Sequence, residues 1–206
     1  MTLSQAIKKF LEYLEVEKGK SPLTVRNYRH YLARFAAWAK GKIATPKQIN
    51  QDIIHDYRLA LNQLKLDPTT QNYHLIALRS FLKYLSREDV KTLAPEKVEL
   101  AKTPERGISV LEFDEIERLM SAADTRTIVG LRDRAILEVL FSTGLRIGEL
   151  VGLTRQQANT AKGEMAVLGK GGKQRVVFLS DRARGWLGKY LKTRGDKNPA
   201  LFIRHD

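Results

Sequence analysis

A short segment at residues 142–150 joins a glycine, an arginine and an acid at a spacing that suits phosphate chemistry. Gly144 can end one helix in a left-handed conformation, which leaves Arg146 at the start of the next helix. A guanidinium in that position can bind two phosphate oxygens, and Glu149, one turn further on, can orient it. The segment therefore predicts a phosphate-binding corner. The alternative is an ordinary Arg–Glu pair on a helix surface.

A glycine-rich turn lies between two segments of alternating apolar residues, 165–167 and 176–178. It carries three cations, Lys170, Lys173 and Arg175. The pattern predicts a β-hairpin whose tip delivers Lys170 to a backbone oxygen of DNA. It is not a nucleotide-binding P-loop, because Glu164 stands where the first glycine is needed and Gly171 replaces the serine or threonine that binds magnesium. The alternative is a solvent-exposed basic turn.

Four amphipathic segments precede these motifs. Apolar residues recur at helical spacing near 7–14, 25–38, 53–64 and 75–85. Ser21 followed by Pro22 predicts the N-cap and the first-turn proline of the second helix. Such a series predicts a small helical bundle.

A second domain is expected after a linker. Between residues 88 and 107 the helical periodicity fades and prolines stand among charged residues, which is typical of a linker. We therefore expect domains at 1–87 and 108–206. In the second we expect, besides the hairpin, helices near 113–120, 131–141 and 146–153 and from Trp186 onward. The predicted fold is mainly α with a small antiparallel β-sheet.

The charge of the chain favours a nucleic-acid partner. It holds 36 Lys and Arg against 23 Asp and Glu, a net charge of +13. Residues 18–51 contain eight basic side chains and no acid, and residues 168–206 contain ten basic against three acidic ones. These stretches predict a surface that faces phosphates, although an anionic membrane is an alternative on charge alone.

Other classes of protein and site are excluded by composition. Without cysteine the chain has no disulfide or thiolate metal site, and its four histidines lack the spacing of metal ligands. No apolar run approaches the roughly 20 residues that span a bilayer. We therefore expect a cytoplasmic protein without metal, cofactor or membrane partner.

Taken together, these motifs resemble the tyrosine recombinase (phage integrase) family, and in particular its Xer-type members. The resemblance rests on Thr143-Gly144-Leu145-Arg146-x-x-Glu149-Leu150, on Lys170 24 positions after Arg146, and on stretches at 10–35, 69–72 and 78–85. It implies an N-terminal four-helix SAM-like core-binding domain, followed by the front half of an α-helical catalytic domain with a small antiparallel sheet. The residues expected to contact DNA are Lys20, Arg26, Arg29, Arg34, Thr69, Thr70, Gln71, Asn72, Arg79, Lys173 and Arg175.

The resemblance also implies a reaction: site-specific recombination of double-stranded DNA through a 3′-phosphotyrosine, without metal or cofactor. Arg146 would stabilise charge on the phosphoryl oxygens, Lys170 would protonate the leaving 5′ oxygen, and Glu149 would support Arg146. Other protomers on the same DNA, four in the active assembly, are the implied protein partners.

After the hairpin lysine, the family pattern continues with a His-x-x-Arg pair and a late nucleophilic tyrosine. No His-x-x-Arg pair follows Lys170 in this sequence, and Tyr190 lies too early to be that nucleophile, so we interpret it as a packing residue. We therefore expect a recombinase cut off before its active site is complete, and inactive by itself. The alternative is a naturally short, non-catalytic regulator that occupies recombination sites. A helix-turn-helix repressor built on residues 131–157 is a third, more distant interpretation.

Overall fold

The computed structural model describes residues 1–103, 107, 109–159 and 162–205, without the side chains of Asn159 and Lys170. The chain divides into two compact units, Met1–Gly107 and Ile108–Asp206. Both are mainly helical, and the second also contains a small antiparallel sheet, so the predicted fold class is confirmed. Within the described ranges, no helix combines the length and apolar character needed to cross a membrane.

The first unit is built on the four predicted helices. They are α1 (Leu3–Val16), α2 (Pro22–Ala39), α3 (Gln51–Gln63) and α4 (Pro68–Arg87). The predicted start of α2 is confirmed: the Ser21 hydroxyl accepts the N–H of Thr24 at 3.3 Å, and Pro22 occupies the first helical position. This arrangement satisfies one of the helix's unpaired N–H groups and fixes where α2 begins.

The core of the first unit forms around α4, which packs against α1, α2 and α3. Side chains from these helices are almost completely removed from solvent, among them Phe10, Leu32, Phe35, Tyr57, Leu78, Phe81 and Leu82. Burial of each such aliphatic or phenyl side chain stabilises the fold by about 1.5–3 kcal/mol relative to exposure. Because the buried face of α2 packs into this core, the position of its exposed face is fixed as well.

The segment predicted to be a linker packs against the first unit over much of its length. Leu93 donates its N–H to the carbonyl of Ile49 at 3.1 Å, and Val98 is fully buried. The amide side chain of Asn72 both donates to and accepts from the backbone of Ala101, at 2.8 and 2.9 Å. A few apolar residues without helical spacing therefore suffice to hold the segment against the bundle, and periodicity does not detect them.

The second unit contains four helices in its described part. They are α5 (Phe113–Ser121), α6 (Ile128–Thr143), α7 (Ile147–Val151) and α8 (Asp181–Thr193). Its sheet has the order β1 (Ala158–Asn159), β2 (Glu164–Leu168) and β3 (Gln174–Phe178), all antiparallel. Since Leu168 pairs with Gln174, the predicted hairpin is confirmed, with residues 169–173 as its turn.

Three details of the second unit differ from the sequence-based expectations. α8 begins at Asp181 rather than at Trp186, because the Ser180 hydroxyl caps it by accepting the N–H of Ala183. α7 has only five residues. Phe178, which marked the second strand of the hairpin, is 68% exposed, because it lies on the face opposite the core residues Met165 and Val167.

A buried carboxylate joins the helices of this unit. Glu138 on α6, whose side chain is 2% exposed, accepts hydrogen bonds from Arg134 at 2.9 Å and from Arg182 of α8 at 2.6 Å. Arg182 also forms a bidentate pair with Glu117 of α5. A buried anion is costly unless it is paired and hydrogen-bonded, so this network holds α5, α6 and α8 in one arrangement.

A second buried polar group, His74 of α4, lies in the first unit. Arg34 lies 3.5 Å from its Nε2, and Tyr57 lies 3.3 Å from its Nδ1. Since arginine can only donate, the imidazole accepts at Nε2 and carries its proton on Nδ1. Burial, reinforced by the charge of Arg34, lowers the pKa of His74 from 6.5 to about 4.

We predict that the first unit loses stability as the pH falls from about 6.5 towards 4. Over this range the unfolded histidine binds a proton that folded His74 does not, so acidification favours unfolding. His74→Gln should flatten this dependence. The measurement is urea unfolding at several pH values, followed by Trp38 fluorescence in a Trp186→Phe background.

His55→Gln is the matched control, because His55 is an exposed histidine of the same unit. It should retain the pH dependence of the parent protein. Equal slopes for the parent and His74→Gln would contradict the assignment to His74.

Candidate active site and nucleic-acid interface

Arg146 stands at a corner between two helices. Gly144 ends α6 in the left-handed conformation, with φ of 63°, and donates its N–H to the carbonyl of Leu140 at 2.9 Å. The next side chain, Leu145, is buried and anchors the corner. Arg146 then occupies the N-cap position of α7 with its side chain 78% exposed, so its guanidinium is accessible to a ligand.

Glu149 holds Arg146 from within the protein. Its Oε2 accepts the backbone N–H of Arg146 at 3.0 Å, and its Oε1 lies 3.3 Å from Nη1 of the same residue. The carboxylate also receives a bidentate pair of hydrogen bonds from Arg175 of β3, at 3.0 and 2.8 Å. One acid therefore contacts an arginine at the helix corner and another on the hairpin.

These hydrogen bonds keep Glu149 ionised. The bidentate contact from Arg175, followed by the N–H of Arg146, lowers the pKa of Glu149 from 4.5 to about 2. Its side chain is only 9% exposed, so water contributes little to its solvation. The acid is thus a permanent anion that orients cations, and it is unsuited to exchange protons near neutral pH.

The hairpin turn brings the backbone of Lys170 close to this cluster. Gly169 donates its N–H to the carbonyl of Lys173 at 2.8 Å, which closes the turn. Gly171 and Gly172 adopt φ of 75° and 76°, a region that glycine enters without steric cost. The side chain of Lys170 lies outside the described part of the chain, so its predicted catalytic role stays a prediction.

The basic residues predicted to contact DNA in the first unit fall into two groups. Lys20, Arg26 and Arg29 are exposed on α2 or just before it. Arg34 and Arg79 are half-buried, and Arg34 lies beside His74. The first group is fully available to phosphates, whereas Arg34 also contributes to the interior.

The polar residues at the start of α4 also differ from one another. Thr69 and Thr70 are half-buried in the first turn, and Gln71 donates to the carbonyl of Leu66 at 2.9 Å. Asn72 is 9% exposed, and both polar atoms of its side chain are bonded to Ala101. The expectation that Asn72 contacts DNA is therefore corrected, because its side chain is committed to the protein interior.

The two cations that follow Lys170 are placed differently. Lys173 is exposed at the end of the turn. Arg175 is committed to Glu149, so its predicted DNA contact competes with an existing ion pair. The sequence pattern does not reveal this pair, because the approach of β3 to α7 in the folded protein, and not spacing along the chain, brings residues 149 and 175 together.

Tyr190 is the tyrosine of the second unit, and the structure confirms its interpretation as a packing residue. It is fully buried, stacks on Phe202 with ring centroids 5.7 Å apart, and its hydroxyl lies 3.0 Å from Nε2 of His205. A phenol held in this way is not available to a phosphate. Among the described residues, no group of His, Asp or Glu is arranged to bind a metal ion.

The geometry also bears on the helix-turn-helix interpretation of residues 131–157. In that motif a second helix of several turns lies in the major groove of DNA. α7 has five residues, which is little more than one turn. The structure therefore gives no recognition helix at this position.

Comparison with known families covers both units. The sequence profile of the "Phage integrase family" matches residues 109–206, and that of the "Phage integrase, N-terminal SAM-like domain" matches residues 7–89. The two matches follow one another along the chain and contain the Arg146 corner and the α2 surface, respectively.

The curated relatives that match this chain are named tyrosine recombinases. The chain is 37% identical over 195 residues to tyrosine recombinase XerD of Pseudomonas aeruginosa, covering 92% of this chain and 64% of that protein. It is 33% identical over 215 residues to tyrosine recombinase XerD of Listeria monocytogenes, and the match covers 98% of this chain and 72% of that protein. The chain spans about two thirds of the length of the curated relatives it matches, 64–66% for three of them.

Solved structures agree on the fold. The crystal structure of a lambda integrase dimer bound to a COC′ core site is 19% identical, with a TM-score of 0.76, covering 99% of this chain and 74% of that one. At this identity the likeness concerns the fold alone. The family profiles and the Xer relatives show that the chain belongs to the phage integrase family of tyrosine recombinases.

Proposed function

We propose that this chain supplies the DNA-binding surface and the first catalytic residues of a site-specific tyrosine recombinase. The observation that carries the proposal is the Arg146 corner. Its exposed guanidinium is positioned by the ionised carboxylate of Glu149 and lies beside the turn that bears Lys170. A phosphate is the ligand that suits an accessible guanidinium of this kind. Membership of the family supports a DNA backbone as the source of that phosphate.

In the proposed reaction, the deprotonated oxygen of a tyrosine attacks the scissile phosphorus, and the bond from phosphorus to the 5′ oxygen breaks. Arg146 stabilises the negative charge that develops on the non-bridging oxygens. Lys170 gives its proton to the leaving 5′ oxygen, which departs as a hydroxyl. Glu149 keeps Arg146 in place and touches no substrate atom, so it acts as a positioning residue.

We also propose that the nucleophile is not among these 206 residues. Six of the seven tyrosines lie in α1–α4 of the first unit, and Tyr190 is buried and hydrogen-bonded to His205. No His-x-x-Arg pair follows Lys170 in this sequence. The placement of these tyrosines is the one observation that supports the second candidate function, a non-catalytic regulator of recombination sites. Retention of both Arg146 and Lys170 favours the recombinase.

Both units are proposed to contact DNA, with residues 1–87 acting as a core-binding domain and 108–206 as the front of a catalytic domain. Exposed cations support this division: Arg26 and Arg29 in the first unit, and Arg146 and Lys173 in the second. The lambda integrase structures contain a dimer on a core site and a tetramer on a Holliday junction. By analogy we propose duplex DNA and further protomers as partners, acting in the cytoplasm.

We predict that DNA binding by this chain weakens steeply as salt rises, because phosphate contacts release condensed counterions. Arg26→Ala combined with Arg29→Ala should lower affinity for all duplex sequences and reduce the salt slope by about one unit per lost phosphate contact. Fluorescence anisotropy with a labelled duplex over a salt series measures both quantities. Lys8→Ala with Lys9→Ala removes the same charge from exposed positions on α1 and should change the slope less. A DNA affinity that does not change with salt concentration would contradict the proposal.

We predict that Lys170→Ala is rescued selectively by a sulfur substrate, in a protein that joins residues 1–206 to the tyrosine-bearing remainder of an Xer relative. If Lys170 is the general acid, a DNA strand with sulfur at the bridging 5′ position needs no proton and should be cleaved by the variant. Arg146→Ala should stay impaired on both substrates, because it stabilises a different atom. Equal impairment of Lys170→Ala on both substrates would remove it from the acid role.

We also predict that the 206-residue chain binds DNA but forms no covalent link to it. The purified chain is incubated with a nicked suicide substrate, and DNA-linked protein is sought after denaturation. P. aeruginosa XerD on its own site serves as the positive control. A covalent band that disappears when one tyrosine is changed to phenylalanine would place the nucleophile within these residues and contradict the proposal that it is not among them.

A further inference from the structure

We propose that Arg175 is a positioning residue that docks the turn bearing Lys170 onto Glu149, and that it is not primarily a DNA contact. The inference rests on the proposed function, since it concerns how the two catalytic cations are held together. It assigns the hairpin arginine a role that neither its charge nor its place in a basic turn indicates.

The contact between Arg175 and Glu149 has the geometry of a specific pair. Nη1 and Nη2 of Arg175 donate to Oε1 and Oε2 of Glu149 at 3.0 and 2.8 Å, the parallel arrangement in which guanidinium and carboxylate match best. The same two oxygens also receive the Nη1 and the backbone N–H of Arg146. The carboxylate therefore bridges the helix corner and the hairpin.

The turn itself lies directly against this pair. A Cβ added to Gly169 would lie 2.9 Å from Nη1 of Arg175 and 3.3 Å from the carbonyl oxygen of Lys173, and its next neighbour would be Oε1 of Glu149 at 3.7 Å. Gly169 immediately precedes Lys170, so the backbone that carries the lysine touches the guanidinium. A side chain at position 169 would push the two apart.

Electrostatics oppose a simple phosphate-binding role for Arg175. If its guanidinium left Glu149 to bind DNA, a nearly buried anion would lose its bidentate partner and would stand next to the phosphates with Arg146 alone. The low pKa of Glu149 has its largest cause in Arg175, in agreement with a strong contact. Lys173, two residues earlier and exposed, is better placed to meet phosphates.

The test compares Arg175→Gln and Arg175→Lys with Lys173→Gln in the complete 206-residue chain without DNA. Arg175→Lys keeps the charge but loses the bidentate fork. Amide hydrogen exchange is measured by NMR at Gly169 and Gly172, whose N–H groups close the turn, and at Met165 in the sheet. We expect the turn amides to exchange about tenfold faster or more in both Arg175 variants. Met165 in these variants, and all three amides in Lys173→Gln, should be unchanged.

A spectroscopic readout distinguishes positioning from general stabilisation. In a carboxyl ¹³C titration, Arg175→Gln should raise the pKa of Glu149 from about 2 towards its ordinary value, while Lys173→Gln should leave it low. Gly169→Ala should speed exchange in the turn of the parent protein and have a smaller effect in Arg175→Gln, because the clashing guanidinium is then absent. Independent, additive effects would contradict the direct contact.

The outcomes separate this inference from the proposed function. In one outcome, Arg175→Gln leaves amide exchange in the turn unchanged and reduces DNA affinity and salt slope as much as Lys173→Gln does. This outcome would overturn the positioning role of Arg175 but not the proposed DNA-binding function. If the Arg175 variants show faster exchange in the turn but the chain shows no salt-dependent DNA binding, the contact between Arg175 and Glu149 is supported and the proposed function is contradicted. Uniformly faster exchange that includes Met165 would assign Arg175 to general stability, and would also overturn the proposal.

Discussion

The carboxylate of Glu149 is the point on which the candidate active site depends. An anion that is only 9% exposed must find cations within the protein, and it finds them on two separate elements, the N-cap of α7 and strand β3. Neither Arg146 nor Arg175 could satisfy it as fully alone, because each carboxylate oxygen receives hydrogen bonds from both. The requirement to neutralise one acid thus fixes the distance between a helix corner and a hairpin.

Further hydrogen bonds support that arrangement, because they fix α6, which directly precedes the corner, to α8 and to the end of β3. Glu138 ties α6 to α8 through Arg182, inside the core of the unit. At the far end of α6, the Ser142 hydroxyl donates to the carbonyl of Phe178 at 3.3 Å and accepts the N–H of Ser180 at 2.7 Å, which joins α6 to the end of β3. The hairpin is therefore held at its base by Ser142 and near its tip by Glu149, so the turn between β2 and β3 has little freedom to shift relative to Arg146.

Features encoded by neighbouring residues could be predicted from the sequence, and features made by distant residues could not. Ser21 and Pro22 specify the start of α2, Gly144 the end of α6, and alternating residues the hairpin; each signal lies within a few positions. The pairing of residue 149 with residue 175 depends on strand register, and that of Asn72 with Ala101 on how an irregular segment folds back. In both cases a polar residue that looked available to DNA is committed to the protein, and its type alone does not reveal the difference.

The same distinction changes how the net charge of +13 relates to DNA binding. Several of the ten basic side chains in residues 168–206 are paired within the protein: Arg175 with Glu149, Arg182 with Glu117 and Glu138, and the fully buried side chain of Arg194 with Asp196. These arginines stabilise the second unit and add little to its external field. In residues 18–51 there is no acid to pair with, and Lys20, Arg26 and Arg29 are exposed. Long-range attraction to DNA should therefore come mainly from the first unit, while the second contributes a few cations placed for chemistry, in particular Arg146.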